Sequence, residues 1–478
     1  MPLQQADFSP PPPPRAARSR LAPLALALAA LLPGCASLPA PDAALPETPM
    51  QAAWSTPGAD ASGAAAASLA AWWQRFNDAQ LSALVTQALQ ANTNVRTAQA
   101  ALRQARALRD VSAAGLGPAL NTSASAQRSK AASAGTSNLF KAGFDASWEP
   151  DVFGGNRSAL NATEADARAA ETSLADTQVS IAAEVAVAYI QLRGLQTQLG
   201  IAQRNLVSQN ETLQITRWQA QAGLSTSLEV EQALTSSEQT SATIPVLQTS
   251  LAKARHSLAV LTGQTPDALE AALADSRPVP QAAAGLALTI PAQTLRQRPD
   301  VRAAEHRVSA ALARVSQADA ARYPSFSISG SLGLNALTLG SLTGGGASVV
   351  NALLGSVSVP LFDGGAARAQ VRAQEAALEQ ARISYQATVL TALKDVEDAL
   401  VALQGDRARL LHLQSAATAA QNADLLAQQR YTSGLIDFQT VLQTQRTLLT
   451  AQDSAASATA DVSADHVRLY KALGGGWS

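Results

Sequence analysis

The chain has 478 residues, 47% hydrophobic and 4% aromatic, with a formal net charge of −1. That length allows two or three domains and a large core, and a balanced charge gives no pull toward nucleic acid or an acidic surface. A single cysteine, Cys35, rules out an intramolecular disulfide and a thiolate metal site.

The N-terminus reads as a targeting segment. Arg15, Arg18 and Arg20 precede an apolar run at 21–32, followed by Pro33-Gly34-Cys35. The run is far short of the roughly 20 residues of a spanning helix, so residues 1–34 are expected to be a signal peptide. Pro33-Gly34-Cys35 resembles a bacterial lipoprotein box, which implies that Cys35 becomes the lipidated first residue of the mature chain. Pro33 stands where a small residue is usual. Ala36, in place of Asp, resembles lipoproteins sent on to the outer membrane. Residues 35–68, rich in Pro, Ala, Ser and Gly, read as a lipid-anchored flexible tether.

Order is expected from Leu69. Trp72, Trp73, Phe76, Leu81, Leu84, Val85, Ala88 and Leu89 recur at helical spacing, and a second helix is expected from about Asn94 to Ala114, ended by Gly115, Gly117 and Pro118. The period then changes. Phe140, Ala142, Phe144, Ala146 and Trp148 alternate with polar or small neighbours, as Leu120, Thr122, Ala124 and Ala126 do more weakly. A period of two predicts strands with one apolar face. The same pattern returns in Phe326, Ile328, Leu332 and Leu334, and in Val357, Val359 and Leu361. A β-hairpin is therefore predicted at about 118–150 and another at about 324–361, with strands about 10 residues long.

Long helices follow each hairpin. No proline occurs from 157 to 244 or after 361, and the only convincing breaks are Gly223-Leu224-Ser225 and Gly434-Leu435-Ile436. Arms at 157–220 and 368–430 would each be about 95 Å long at 1.5 Å per residue. Helical hairpins are predicted at about 157–262 and 366–473, with Pro245 expected to kink or interrupt the first return arm. The segment 264–299 is Pro-rich, with a short strand expected at 286–290.

The two halves are copies. A shift of 211 places Arg368, Gly434 and Gly474 on Arg157, Gly223 and Gly263, and a shift of 206 places Pro324 on Pro118. The difference is a net insertion between Pro324 and Arg368. The repeats are read as 69–263 and 300–478, joined by 264–299; the unit is far too long for a solenoid.

Helices this long with so few bulky residues need partners along their whole length. No segment of the mature chain has the apolar length of a spanning helix. Strands of about 10 residues with one apolar face suit a transmembrane barrel, yet four cannot close one and an open edge is not tolerated in lipid. Either the hairpins are soluble or several chains share one barrel.

Trp72-Trp73-x-x-Phe76-x-Asp78-x-x-Leu81, Arg298-Pro299-Asp300-Val301-Arg302-x-Ala304-Glu305, Pro360-Leu361-Phe362-Asp363-Gly364-Gly365 and Arg430-Tyr431-x-x-Gly434 occur in order, together with Ala222-Gly223-Leu224 and 256–263. This set resembles the outer-membrane efflux proteins of the TolC/OprM type, in particular the NodT-like lipoprotein subunits, over nearly all of 35–478. The resemblance implies a mainly α, internally duplicated fold with a transmembrane β-barrel portion. Three chains would form a 12-stranded barrel continued by a periplasmic α-barrel, with 69–92 and 264–299 in a belt around it. It implies a homotrimer in the outer membrane lipid, a periplasmic adaptor, an inner-membrane RND-type transporter and no cofactor. The chain would be a passive exit duct for small molecules. The adaptor-docking motif carries over to Gly223, Leu224 and Ser225, and to Gly434 and Leu435, with Ile436 departing from the pattern. Such proteins close their periplasmic end with charged or polar rings; Asp437, with Arg430 and Tyr431 nearby, and Asp424 are the candidates here. Two alternatives stay open: the duct of a type I protein secretion system, and a lipid-tethered periplasmic coiled-coil scaffold without a pore.

Catalytic patterns are poor. His256, His306, His412 and His466 are scattered without an HExxH pair, and Gly344-Gly345-Gly346 lacks the Gly-Lys-Ser/Thr of a phosphate loop. The triple glycine reads as a hairpin loop, and no enzyme is expected.

Overall fold

The computed structural model describes residues 71–131, 135–282 and 292–475. The leader, Cys35, the tether and the expected strand at 286–290 lie outside the described residues. A 3₁₀ turn, Trp72–Phe76, precedes α1 (Ala79–Ala91), whose Gln80 and Leu81 N–H groups are received by the Asp78 carboxylate. Asn92 caps α2 (Thr93–Ala114) in the same way. The chain then turns into β1 (Ala119–Ala131) and β2 (Gly135–Trp148). Gly154, at φ 77°, releases it into α3 (Gly155–Gln221), a helix of 67 residues, which is about 100 Å at 1.5 Å per residue. The return arm is α4 (Ser227–Leu261).

The second half repeats this order. After a 3₁₀ turn, Ala292–Gln297, come α5 (Pro299–Ala320), β3 (Ser325–Ala336), the short α6 (Leu339–Thr343), β4 (Ser348–Ser358), α7 (Ala366–Thr432) and α8 (Phe438–Ala472). Helix α5 starts and ends 206 residues after α2 (299 against 93, 320 against 114), and α7 and α8 start and end 211 after α3 and α4. The extra residues therefore fall between β3 and β4, where 337–347 carries α6 and the Gly344–Gly346 turn. Of the two outcomes expected at Pro245, a break does not occur: α4 runs through it. A proline removes one ladder donor, and α3 packed along this arm supports the rest.

Helix contacts set the columns. Helix α3 touches α2 and α4 on one side and α5 and α8 on the other, and α5 and α8 in turn touch α7. The shorter helices join end to end. Asn92 Nδ2 donates to the Leu261 carbonyl at 2.8 Å where α4 meets α2. Arg298 donates to the Ala472 carbonyl at 2.5 Å where α8 meets α5. Gly263 makes the first joint possible: it sits at φ 73°, and a Cβ there would lie 2.6 Å from the Ala91 carbonyl oxygen. Across the chain the order is thus α2/α4, α3, α5/α8, α7. Much of the buried surface of α3 and α5 is alanine, which lets the backbones approach closely. The bulky core gathers at mid-height, where Trp72 stacks on Tyr470 (5.5 Å between centroids) among Leu81, Val185, Tyr189 and Leu258.

Candidate functional site

The four strands form one antiparallel sheet in the order β1-β2-β3-β4. Its register sorts the side chains. Phe144 lies opposite Leu332 and Thr122, Ala142 opposite Leu334, Phe326 opposite Val357, and Leu334 opposite Val349. Since opposed residues share a face, these form one apolar face. The intervening positions put Ser123, Asp145, Ser331, Ser327 and Ser356 on the other. At about 3.4 Å per residue, the apolar run from Phe140 to Trp148 is about 27 Å long before strand tilt, the scale of a lipid-facing band of about 25 Å. Beyond Phe140 the same face turns polar, with Arg128 opposite Asn138 and Lys130 opposite Thr136. On the small-residue face Gly143 and Gly333 pair across β2 and β3, and a Cβ on Gly143 would meet the Gly333 Cα at 2.8 Å. The sheet has two unpaired edges, β1 and β4. Among the described residues no helix is long and apolar enough to cross a membrane.

At the far end the two helical hairpins turn alike. Gly223 and Gly434 sit at φ 72° and 71°. The Leu224 N–H donates to the Gln219 carbonyl (2.8 Å) and Gly223 N–H to Ala220; Leu435 and Gly434 do the same to Arg430 and Tyr431. This is the Schellman pattern, in which the residue after the glycine usually packs back on the helix. Here it does not: Leu224 is 80% and Leu435 73% exposed. The next helices start with caps. Thr226 and Glu229 form a reciprocal capping box, and Glu229 also accepts from the Ser225 hydroxyl, which with the Thr226 N–H holds its carboxyl below the usual range. Asp437, 211 residues after Thr226, caps α8 by accepting from the Thr440 hydroxyl and N–H, which lower its pKa.

The other gate candidates lie above the second tip. Tyr431 donates from its hydroxyl to Gln219 Oε1 at 2.8 Å, which ties the two hairpins together, and its ring meets Phe438 at 5.5 Å. Phe438 joins Leu213, Ala233 and Leu442 in a small core. Arg430 is exposed on the last turn of α7. Asp424 is buried between α7 and α8, accepting from Gln428 Nε2 (2.9 Å) and more weakly from Thr444 Oγ1 (3.3 Å). Burial raises its pKa. Asp437, Arg430 and Tyr431 thus share one tip, and Asp424 sits one to two turns away inside the hairpin.

Comparison with known proteins decides what the fold belongs to. The family model described as "Outer membrane efflux protein" matches residues 84–264 and 290–475. The chain is an outer membrane efflux protein. It is 32% identical to nodulation protein T of Rhizobium leguminosarum bv. viciae, over 92% of this chain and 90% of that one. It is 33% identical to the pyoverdine export outer membrane protein OpmQ of Pseudomonas aeruginosa, over 94% and 95%. The solved outer-membrane channel OprN covers 91% of this chain and all of its own, with a TM-score of 0.83 at 35% identity. This efflux protein accordingly sits in the outer membrane and extends into the periplasm.

Two polar centres of the efflux protein escaped sequence reasoning. Arg193, fully buried in α3, donates to Gln196 Oε1, the Asp275 carbonyl and Tyr189 OH, with its guanidinium 4.8 Å from the Tyr189 ring centre. Tyr189 donates to Asp78. The only signal was a Tyr and an Arg four apart on an Ala-rich helix. His466, also buried, accepts from Arg407 and donates from Nδ1 to the Val462 carbonyl, which makes it a neutral structural group; burial lowers its pKa. Among the described residues no group of His, Cys, Asp and Glu could hold a metal.

Proposed function

We propose that this outer membrane efflux protein works as a homotrimer, the passive exit duct of a tripartite pump, with a periplasmic adaptor and an inner-membrane RND-type transporter supplying the energy. The observation that carries this reading is the pair of unpaired edges. A four-stranded sheet with a membrane face cannot leave β1 and β4 bare in lipid. Three copies joined β4 to β1 give 12 strands, an even number within the range of closed barrels. Columns α7 and α2/α4 lie along the same two edges, so one rotation closes the helical wall as well. The small-residue sheet face then lines a wet lumen. The named business of the relative OpmQ is export of pyoverdine, and small organic solutes are the cargo we assign. This is a conduit and not an enzyme.

The exposed Leu224 and Leu435, presented by Gly223, Ser225 and Gly434, are the adaptor contacts in this reading. For closure, three Asp437 carboxylates near the axis would repel one another and draw cations, as acidic rings do, with Arg430 and Tyr431 setting the tip's position and Asp424 that of the hairpin. The experiment is efflux in a strain lacking its own outer-membrane duct. Leu224→Asp with Leu435→Asp should abolish efflux while leaving the amount of oligomer in the outer membrane unchanged. Wild-type efflux from that variant would remove the tips from docking. A monomeric, protease-sensitive protein would favour a tethered scaffold instead.

A further inference from the structure

We propose that Phe362 of one copy seats against the α2–β1 turn of the next, on Val111 and Leu120, as an apolar lock at the base of the shared seam; this rests on the homotrimer reading. The chain contains one seam of its own that serves as a template. There, the strand-to-helix linker after β2 meets the helix-to-strand turn between α5 and β3. Phe153 stacks on Tyr323 at 5.0 Å and on Phe326 at 6.4 Å between centroids, and Gly155 lies against Ala320.

The duplication says what the shared seam must contain. Moving back 206 residues, Tyr323 becomes Gly117, Phe326 becomes Leu120 and Gln317 becomes Val111. The turn that the next copy presents thus lacks the tyrosine ring and is otherwise more apolar. A Cβ built on Gly117 would meet only the Ala114 carbonyl oxygen, at 3.6 Å. The opposite side is rearranged. In the internal seam Asp151 caps α3 through the N–H groups of Asn156 and Arg157. In the second copy that duty falls to Asp363, which receives the Gly365 and Ala367 N–H groups, and the position 211 after Asp151 becomes Phe362. By the same shift Phe153 falls on Gly364, so each linker carries one ring, two residues earlier in the second copy. Phe362 is 93% exposed and its neighbour Leu361 94%; Val111 and Leu120 are 68% and 70% exposed. Each set borders an unpaired edge: Phe362 follows β4, and Leu120 lies on β1. A ring this bare beside an edge that must be covered in lipid is explained by a second copy of the chain.

The test uses the full-length protein in its outer membrane, where Cys35 is the only native cysteine. Phe362→Cys and Leu120→Cys are combined and treated with mild oxidant or a short bis-maleimide, alongside each single variant. Particle mass is measured on the same extract. Covalent dimers and trimers from the pair, absent from either single variant, are expected. A trimer by mass with no cross-link overturns the lock and leaves the duct reading standing; a monomer by mass overturns both. In addition, Phe362→Ala keeps the Asp363 cap and should lower the temperature at which the oligomer dissociates, with the helical signal unchanged before dissociation. An unaltered dissociation temperature refutes the lock.

Discussion

Replacing Arg298 by methionine tests the joint between α8 and α5. The guanidinium is 9% exposed, donates to the Ala472 carbonyl at 2.5 Å, and forms a two-pronged pair with Asp300 (3.0 and 2.7 Å). Asp395 adds a contact at 3.6 Å, but that carboxylate is 40% exposed, and such a pair contributes about 0–1 kcal/mol. The carbonyl bond matters more. A hydrogen bond to a charged group contributes about 1.5–3 kcal/mol, and the orphaned buried acceptor adds its own desolvation cost. Asp300, at 27% exposure, keeps some water and softens the one-sided removal, for which fully buried pairs lose about 3–5 kcal/mol. The sum points to a loss of about 2–4 kcal/mol, by those same measures. Detergent-solubilised protein would be unfolded by guanidinium while its far-ultraviolet circular dichroism is followed. Arg157→Met is the control, since its partner is Asp151 at 3.2 Å and Arg157 is 66% exposed; it should lose under about 1 kcal/mol. Equal midpoints for the two variants would refute the claim that the joint stabilises the column. Adding Asp300→Asn to Arg298→Met should recover part of the loss, because an uncompensated carboxylate is then gone.

Four further outcomes follow from the same geometry. Gly143→Val places a side chain against the Gly333 backbone and should abolish SDS-resistant oligomer, while Ser123→Ala on the same face should not. Gly434→Ala forces a left-handed residue, at about 1–2 kcal/mol, which thermal unfolding would register. Asp437→Ser keeps the cap and removes the charge, whereas Asp437→Ala loses both, with a cap worth about 1 kcal/mol; if the carboxylate gates the duct, both raise single-channel conductance, and if it only caps, the serine variant conducts as wild type. Asp424 tests the sign of a buried carboxyl. Its native pKa is raised by burial, so between the unfolded value and that raised value the native state keeps a proton the unfolded chain has released. Stability then falls as pH rises through that window. Asp424→Asn should remove the slope and stabilise the protein at neutral pH; an unchanged pH profile of the melting temperature would refute the assignment.

The large features were written in periods. Period two marked the strands because one face of the sheet is apolar, and the 211-residue echo of Gly223 in Gly434 marked both hairpins because each ends in a left-handed glycine. Trp72 and Phe76 read in sequence as part of one run at helical spacing with Leu81, yet they form a separate 3₁₀ turn before the helix. Pro245 did not break its helix, since a proline's local cost says nothing of the long neighbour that carries the helix past it. The polar joints were harder. Arg298 stood in a recognisable motif, but its acceptor, the Ala472 carbonyl, is a backbone atom 174 residues away and leaves no trace in residue type. The same holds for Arg193, whose acceptors include the Asp275 carbonyl. At the tips, Asp437 reads as a charge in sequence, yet its oxygen is already taken up in starting a helix.

Each copy brings one seam complete within itself and half of another at either edge. In the proposed ring, every copy therefore depends on both neighbours, and a faulty edge cannot be repaired by the third member. Where a cell makes equal amounts of sound and edge-damaged subunits that mix at random, only about one ring in eight contains sound copies alone. Edge lesions such as those at Phe362 should thus behave as dominant in a merodiploid. Lesions of the internal seam, which spoil a chain before it can join a ring, should be recessive.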